Sequence, residues 1–186
     1  MDADSDRARL KAAGQLDLAS SGGRDARIEI VDYDASWPDR FLAERERLTA
    51  FVPRLSWHHI GSTAVPGLAA KPIIDMMALT DNPDEHLPAL VEQAGYECPD
   101  AYNASLTGRR WLCRPSAAYR THHLHLVADQ DELDRHVHFR DALRSDRELA
   151  TAYAALKRSL AERMADDREG YTAAKTAFIT EARAHR

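Results

Sequence analysis

The chain has 186 residues, with 25 Lys and Arg against 30 Asp and Glu, a formal charge of −5, 44% apolar and 30% charged residues. That length suits one domain with its own core, and the acidic balance argues against a dedicated binder of duplex nucleic acid. Cys98 and Cys113 sit in no CxxC or Cys/His zinc spacing, no apolar run reaches the ~20 residues that span a bilayer, and the start is too polar for a secretory signal. A reduced, cytoplasmic protein is expected, with no membrane contact.

Residues 1–26 read as a flexible N-terminal arm, in which Asp4 to Leu18 could wind into a short helix before a Ser-Ser-Gly-Gly joint. Residues 27–186 form the domain. Ile28 to Val31 is a strand by its β-branched content. Ser36 is placed to cap a helix with Pro38 in its first turn and Phe41, Leu42, Leu48 and Val52 along it. Trp57 to Ile60 and Pro72 to Leu79 are strands, and Pro83 to Ala94 is a helix stopped by Gly95. Tyr96 to Cys98, Arg109 to Arg114 and His122 to Val127 are further strand candidates. From Asp129 onward the apolar residues recur at helical spacing. Leu133, Val137 and Leu143 mark one helix, Leu149, Tyr153, Leu156, Leu160 and Met164 a second, Tyr171, Ala174, Phe178 and Ile179 a third. The expected class is α+β, a mixed sheet followed by a helical C-terminal part.

The stretch from His58 to Leu79 carries the most chemistry. Gly61-Ser62-Thr63 follows a short strand and offers backbone N–H groups and hydroxyls to a phosphate, or serves as an ordinary turn. Asp75 is a lone carboxylate among Ile73, Ile74, Met76 and Met77, costly to bury without a partner. Lys71, just before that strand, either approaches a phosphate or extends to solvent. His123 and His125 alternate on one strand face and could present imidazoles to a transition metal. His58, His59, His122, His136 and His138 crowd the same regions, with His59 best placed beside the turn. No G-x-S-x-G elbow, Walker A loop or HExxH motif is present.

These residues resemble the GrpB family of the nucleotidyltransferase superfamily. The markers are VDYDASWPDRF (Val31 to Phe41), HIGSTAVPGLAAKPIID (His59 to Asp75), HLHLV (His123 to Val127), FRDALR (Phe139 to Arg144), YAALK (Tyr153 to Lys157) and YTAAKTAFI (Tyr171 to Ile179). The resemblance implies a nucleotidyltransferase-like mixed β-sheet flanked by helices, with the Gly-Ser turn cradling a triphosphate. It implies two acids at alternate strand positions that hold Mg²⁺ or Mn²⁺. Asp75 matches the first acid, and Met77 stands at the second. Where a third acid is expected, His123 and His125 would make an Asp75/His123/His125 set suited to a transition metal. Asp75 and His125 are then the candidate catalytic groups. Gly61, Ser62, Lys71, Arg140, Tyr153, Lys157 and Lys175 are the candidate phosphate contacts, although i,i+4 charges also make ordinary solvated helix faces.

Three functions remain open on the sequence. One is a nucleotidyltransferase acting on a nucleotide or another phosphorylated small molecule. A second is a non-catalytic binding or regulatory module, and a third an enzyme repurposed to a specialised metabolite through the Asp/His set.

Overall fold

A computed structural model describes residues 28–165 and 167–184; the expected helix over Asp4 to Leu18 and the Ser-Gly joint lie outside them. The sheet has four strands, β1 (His58–Ile60), β2 (Ile74–Leu79), β3 (Arg109–Pro115) and β4 (Arg120–Val127), in the order β1-β2-β4-β3. β1 runs antiparallel to β2, β2 parallel to β4, and β3 antiparallel to β4. The helices are α1 (Trp37–Thr49), the short α2 (Asp100–Asn103), α3 (Gln130–Ser145), α4 (Arg147–Arg163) and α5 (Arg168–Ala184). The mixed α+β class expected above is what the molecule adopts. No helix among the described residues is long and apolar enough to cross a membrane.

Strand alternation divides the sheet into two chemically different faces. Ile74, Met76 and Ala78 of β2, Leu112 of β3, and Leu124 and Leu126 of β4 meet Trp37, Phe41 and Leu48 of α1 in the main core. The opposite face carries Asp75, Met77, Trp111, His123 and His125, since Asp75 pairs with His123, and Met77 and Trp111 both pair with His125. Its far end is apolar: Ile60, Met77 and Val127 pack on Leu133 and Val137 of α3. Helices α4 and α5 close this side through Tyr153 and Phe178, which pack with Leu143 of α3 against Val65 and Leu68.

Several local expectations differ from the structure, each for a visible reason. Ile28 to Val31 is not a strand. Val31 makes one bridge to Ala70, while Ile28 and Ile30 pack on Leu160 and Tyr171 of the C-terminal helices. Ser36 already has helical backbone angles, so its hydroxyl does not cap α1; its N–H donates to Asp34 Oδ1 at 2.8 Å. Tyr96 to Cys98 is reduced to a Glu97–Cys113 bridge. Pro83 to Ala94 winds tightly over Pro83–His86 and then widely over Ala89–Gln93. Pro88 lacks the N–H that a regular turn would use there. Gly95 ends the segment as expected, at φ 70°, with Tyr96 N–H donating to the Leu90 carbonyl.

Candidate functional site

Asp75, the Gly61 turn and the C-terminal helices meet in a cleft of about 1160 Å³, large enough for a nucleotide-sized molecule. The antiparallel register sets Ile60 opposite Asp75, so the chain leaving β1 must turn directly over the carboxylate. Gly61 makes that turn at φ 72° and ψ −172°, a conformation open essentially to glycine alone. A Cβ there would lie 2.6 Å from Asp75 Oδ2. Gly61→Ala is therefore expected to lower stability by about 1–3 kcal/mol and to displace Asp75. A urea titration checks the first effect, and the His123 ring resonances in NMR report the second.

Asp75 is held from β4. His123 Nδ1 donates to Asp75 Oδ1 at 2.9 Å, and His125 Nε2 stands 3.8 Å from the same oxygen. Burial pushes the acid upward, but the two imidazoles outweigh it and hold Asp75 well below the usual carboxylate range. His125 is lowered, first by burial and further by Arg109 and His123, against the pull of Asp75. One ligand atom from each of Asp75, His123 and His125 falls within 4.8 Å of the others, so the sequence-derived set does converge. As a Mg²⁺ site it is poor. Mg²⁺ takes oxygen ligands, two of these three groups are imidazoles, and Met77, where a second acid would stand, is fully buried against α3.

The basic side of the cleft is built by α4, α5 and the loop after the Gly61 turn. Lys157 is 2% exposed. Its Nζ donates to Ser62 Oγ at 2.8 Å and to the Ala69 carbonyl, and lies 4.8 Å from the centre of the Tyr153 ring. Burial, with Lys175 and Arg158 adding like charge, lowers its pKa to about 7. Lys175 is likewise lowered by burial, opposed by Asp75. Lys71 and Lys175 place their ammonium groups 4.2 Å and 4.4 Å from the centre of the Tyr171 ring. Among the described residues, Lys157 and Lys175 have no acidic partner in an ion pair.

Two of the expected phosphate contacts stand elsewhere, because other groups take them. Arg140 Nη1 donates to the His59 carbonyl at 2.9 Å while its other nitrogens clasp Asp141. Arg144 next to it donates twice to the Ala64 carbonyl. Together they strap α3 to the backbone on both sides of the Gly61 turn. Tyr153 is buried, stacked on Phe178 with ring centres 5.3 Å apart and edge-on to Phe139. His59 is also structural: it stacks on Phe41 at 4.7 Å, bonds Thr63 Oγ1 and is lowered to about 4, chiefly by burial. His122 points to the α1 face and is lowered to about 3, again chiefly by burial.

The sequence reading overlooked Arg109, Trp111, Tyr102 and Arg120. Arg109 Nη2 lies 3.1 Å from His125 Nδ1, with Nη1 on Glu132 of α3. Trp111 covers His123 at 5.0 Å, flanked by Tyr102 and by the Arg120 guanidinium. Asn103 pins α2 there, donating to the Trp111 carbonyl and accepting its N–H. The alternation Arg109-x-Trp111 was the available signal, but it gains meaning only once β3 is paired with β4.

A four-stranded mixed sheet with helices on both faces and a Gly-Ser turn over a strand acid defines the nucleotidyltransferase-like fold. The structure of the GLD-2/RNP-8 complex is similar at a TM-score of 0.54 over 80% of this chain and 51% of that one, at 14% identity, a likeness of fold alone. The chain belongs to the GrpB family, whose model, "GrpB protein", matches residues 27–185. The conserved protein GrpB from Enterococcus faecalis has a crystal structure similar at a TM-score of 0.74, with 34% identity over 84% of this chain and 96% of that one. A UPF0157 protein of Pseudomonas aeruginosa is 40% identical over 170 residues, 86% of this chain and 67% of that protein. The chain spans 45% of a UPF0157 relative from Bacillus subtilis, at 37% identity.

Proposed function

We propose that the cleft binds a nucleotide or another phosphorylated small molecule, with its phosphates on Lys157, Lys175, Lys71 and the Gly61-Ser62 turn. The observation that carries this reading is Lys157. A buried ammonium without a carboxylate is costly, and here two lysines from different helices meet beside a turn whose hydroxyl one of them already grips. An anion entering the cleft would supply the missing charge. The nucleotidyltransferase-like fold is in keeping with such a ligand. So is a soluble protein working in the cytoplasm.

The reading is one of binding. Transfer by the paired-acid route requires a second strand carboxylate, and Met77 occupies that position with its side chain in the apolar cluster under α3. A thermal-shift screen of nucleoside triphosphates, nucleoside monophosphates and sugar phosphates is expected to give stabilisation without added metal. Pyrophosphate release from a triphosphate is expected to stay at background. Absence of a shift with every phosphorylated compound would refute the proposal.

A further inference from the structure

Whether Asp75, His123 and His125 can hold a metal is decided by where the imidazole protons sit. A histidine that ligates through one ring nitrogen carries its proton on the other, and that N–H is normally given to a carboxylate, a carbonyl or water. Here neither ring turns a lone pair toward Asp75, as a site shared by all three groups requires. Arg109 aims Nη2 at His125 Nδ1, 3.1 Å away. A guanidinium only donates, so Nδ1 is the lone pair and the proton of the neutral ring sits on Nε2, toward Asp75. Arg109 is in turn fixed by Glu132. His123 gives its Nδ1–H to Asp75, and its Nε2 is buried with no partner. Ligation through Nδ1 would move the proton to Nε2 and strand a buried N–H.

The remaining carboxylate oxygen has a different outlook. Oδ2 lies against Gly61, where even a methyl group would collide, and Asp75 is one of the groups lining the cleft. The side chain keeps 32% of its surface accessible. It is an anion fixed from behind by imidazole N–H groups and open in front.

We infer that the Asp75 centre works without a metal ion, as a fixed anionic acceptor for a hydroxyl or amino group of the ligand whose phosphates lie on Lys157 and Lys175. The inference rests on the phosphate-binding reading for the ligand, and on Arg109 and His123 alone for the exclusion of metal. The ligand class is then a phosphate ester that also carries hydrogen-bond donors, a nucleoside or sugar phosphate, rather than a bare polyphosphate.

The test uses the full chain stripped of metal with a chelator. Titration with cobalt(II) is expected to give no coordination spectrum in the visible; a stoichiometric one overturns the inference. Asp75→Asn is then compared with wild type for binding of ATP and of tripolyphosphate, which has no hydroxyl or amino donor. ATP affinity is expected to fall about tenfold. Tripolyphosphate is expected to bind at least as well as before, because a negative charge beside the lysines is gone. Equal weakening of both probes removes the acceptor role, and loss of ATP binding when chelator is added to wild type as purified is the signature of a metal bridge; either result overturns the inference. Failure of wild type to bind either probe overturns the acceptor role, whereas the thermal-shift screen decides the phosphate reading and the cobalt titration decides the metal.

Discussion

Replacing Lys157 with methionine is expected to weaken binding of a phosphorylated ligand by about 10- to 100-fold, the loss of a charge-assisted hydrogen bond from a nearly buried ammonium. Isothermal titration of wild type and variant with the best ligand of the screen measures it. Methionine keeps the length of the stem, so the packing against Tyr153 survives and the charge is what is removed. The effect carries a pH signature. Lys157 titrates near 7 in the folded protein and near its ordinary 10.5 when unfolded. Between those values the unfolded chain binds more protons, so this lysine makes stability rise with pH from about 7 to about 10.5. Below 7 both states are protonated and the full cost of burying the ammonium is present. That slope should disappear in Lys157→Met, as urea titrations at several pH values would show. Ligand binding should run the other way in wild type. An anion favours the ammonium, so affinity falls as pH rises above 7, and binding near pH 8 takes up a proton. Calorimetry in buffers of different ionisation enthalpy reads that uptake directly.

Glu44→Ala is expected to cost about 3–5 kcal/mol of stability, enough to unfold a marginal domain. Glu44 is 4% exposed between α1 and the sheet. It accepts from the Tyr96 hydroxyl at 2.6 Å, from Arg47 at 2.6 Å and 3.0 Å, and from Arg114 at 3.1 Å. Alanine would leave two guanidinium groups and a buried hydroxyl without their common acceptor. Burial drives the Glu44 pKa up, yet the Arg47 hydrogen bonds and the charges of His122, Arg47 and Arg114 outweigh it and hold it below 4.5. The stabilisation is thus complete above the unfolded value of 4.5 and is lost as pH falls through the lower folded value. Guanidinium denaturation at pH 7 should show the large difference between wild type and Glu44→Ala. The gap should narrow as both are acidified below 4.5.

Much of the framework was legible because it is local. β-Branched and apolar runs broken by Gly and Pro placed β1, β2 and β4 to within two residues, and the apolar spacing of Leu149, Tyr153, Leu156 and Leu160 placed α4. The misses share a cause. Ile28 to Val31 has strand composition, but Ile28 and Ile30 pack on the apolar side chains of α4 and α5, a contact no local pattern announces. Arg140 carries the same charge as Lys157. Only packing shows that the first ties α3 to the His59 carbonyl while the second lies buried at the cleft. Tyr153 and Tyr171 repeat one Tyr-x-x-x-Lys spacing, yet the first is stacked in the core on Phe178 and the second carries Lys71 and Lys175 over its ring.

By itself the sequence determined the α+β class, the family, and the glycine turn followed by an acid with no second acid at position 77. Each of these is set by residues adjacent in the chain or by a two- or four-residue period. Tertiary structure decided the rest. It set Asp75 against His123 and His125 through a parallel pairing across 48 residues, brought Lys157 to Ser62 across 95, and turned Arg109 onto His125 across 16. Strand register and helix docking make such contacts, and they alone fix which nitrogen bears a proton and which charge lacks a partner. The opening between Gly61, Asp75 and the lysines is therefore a property of the packed molecule.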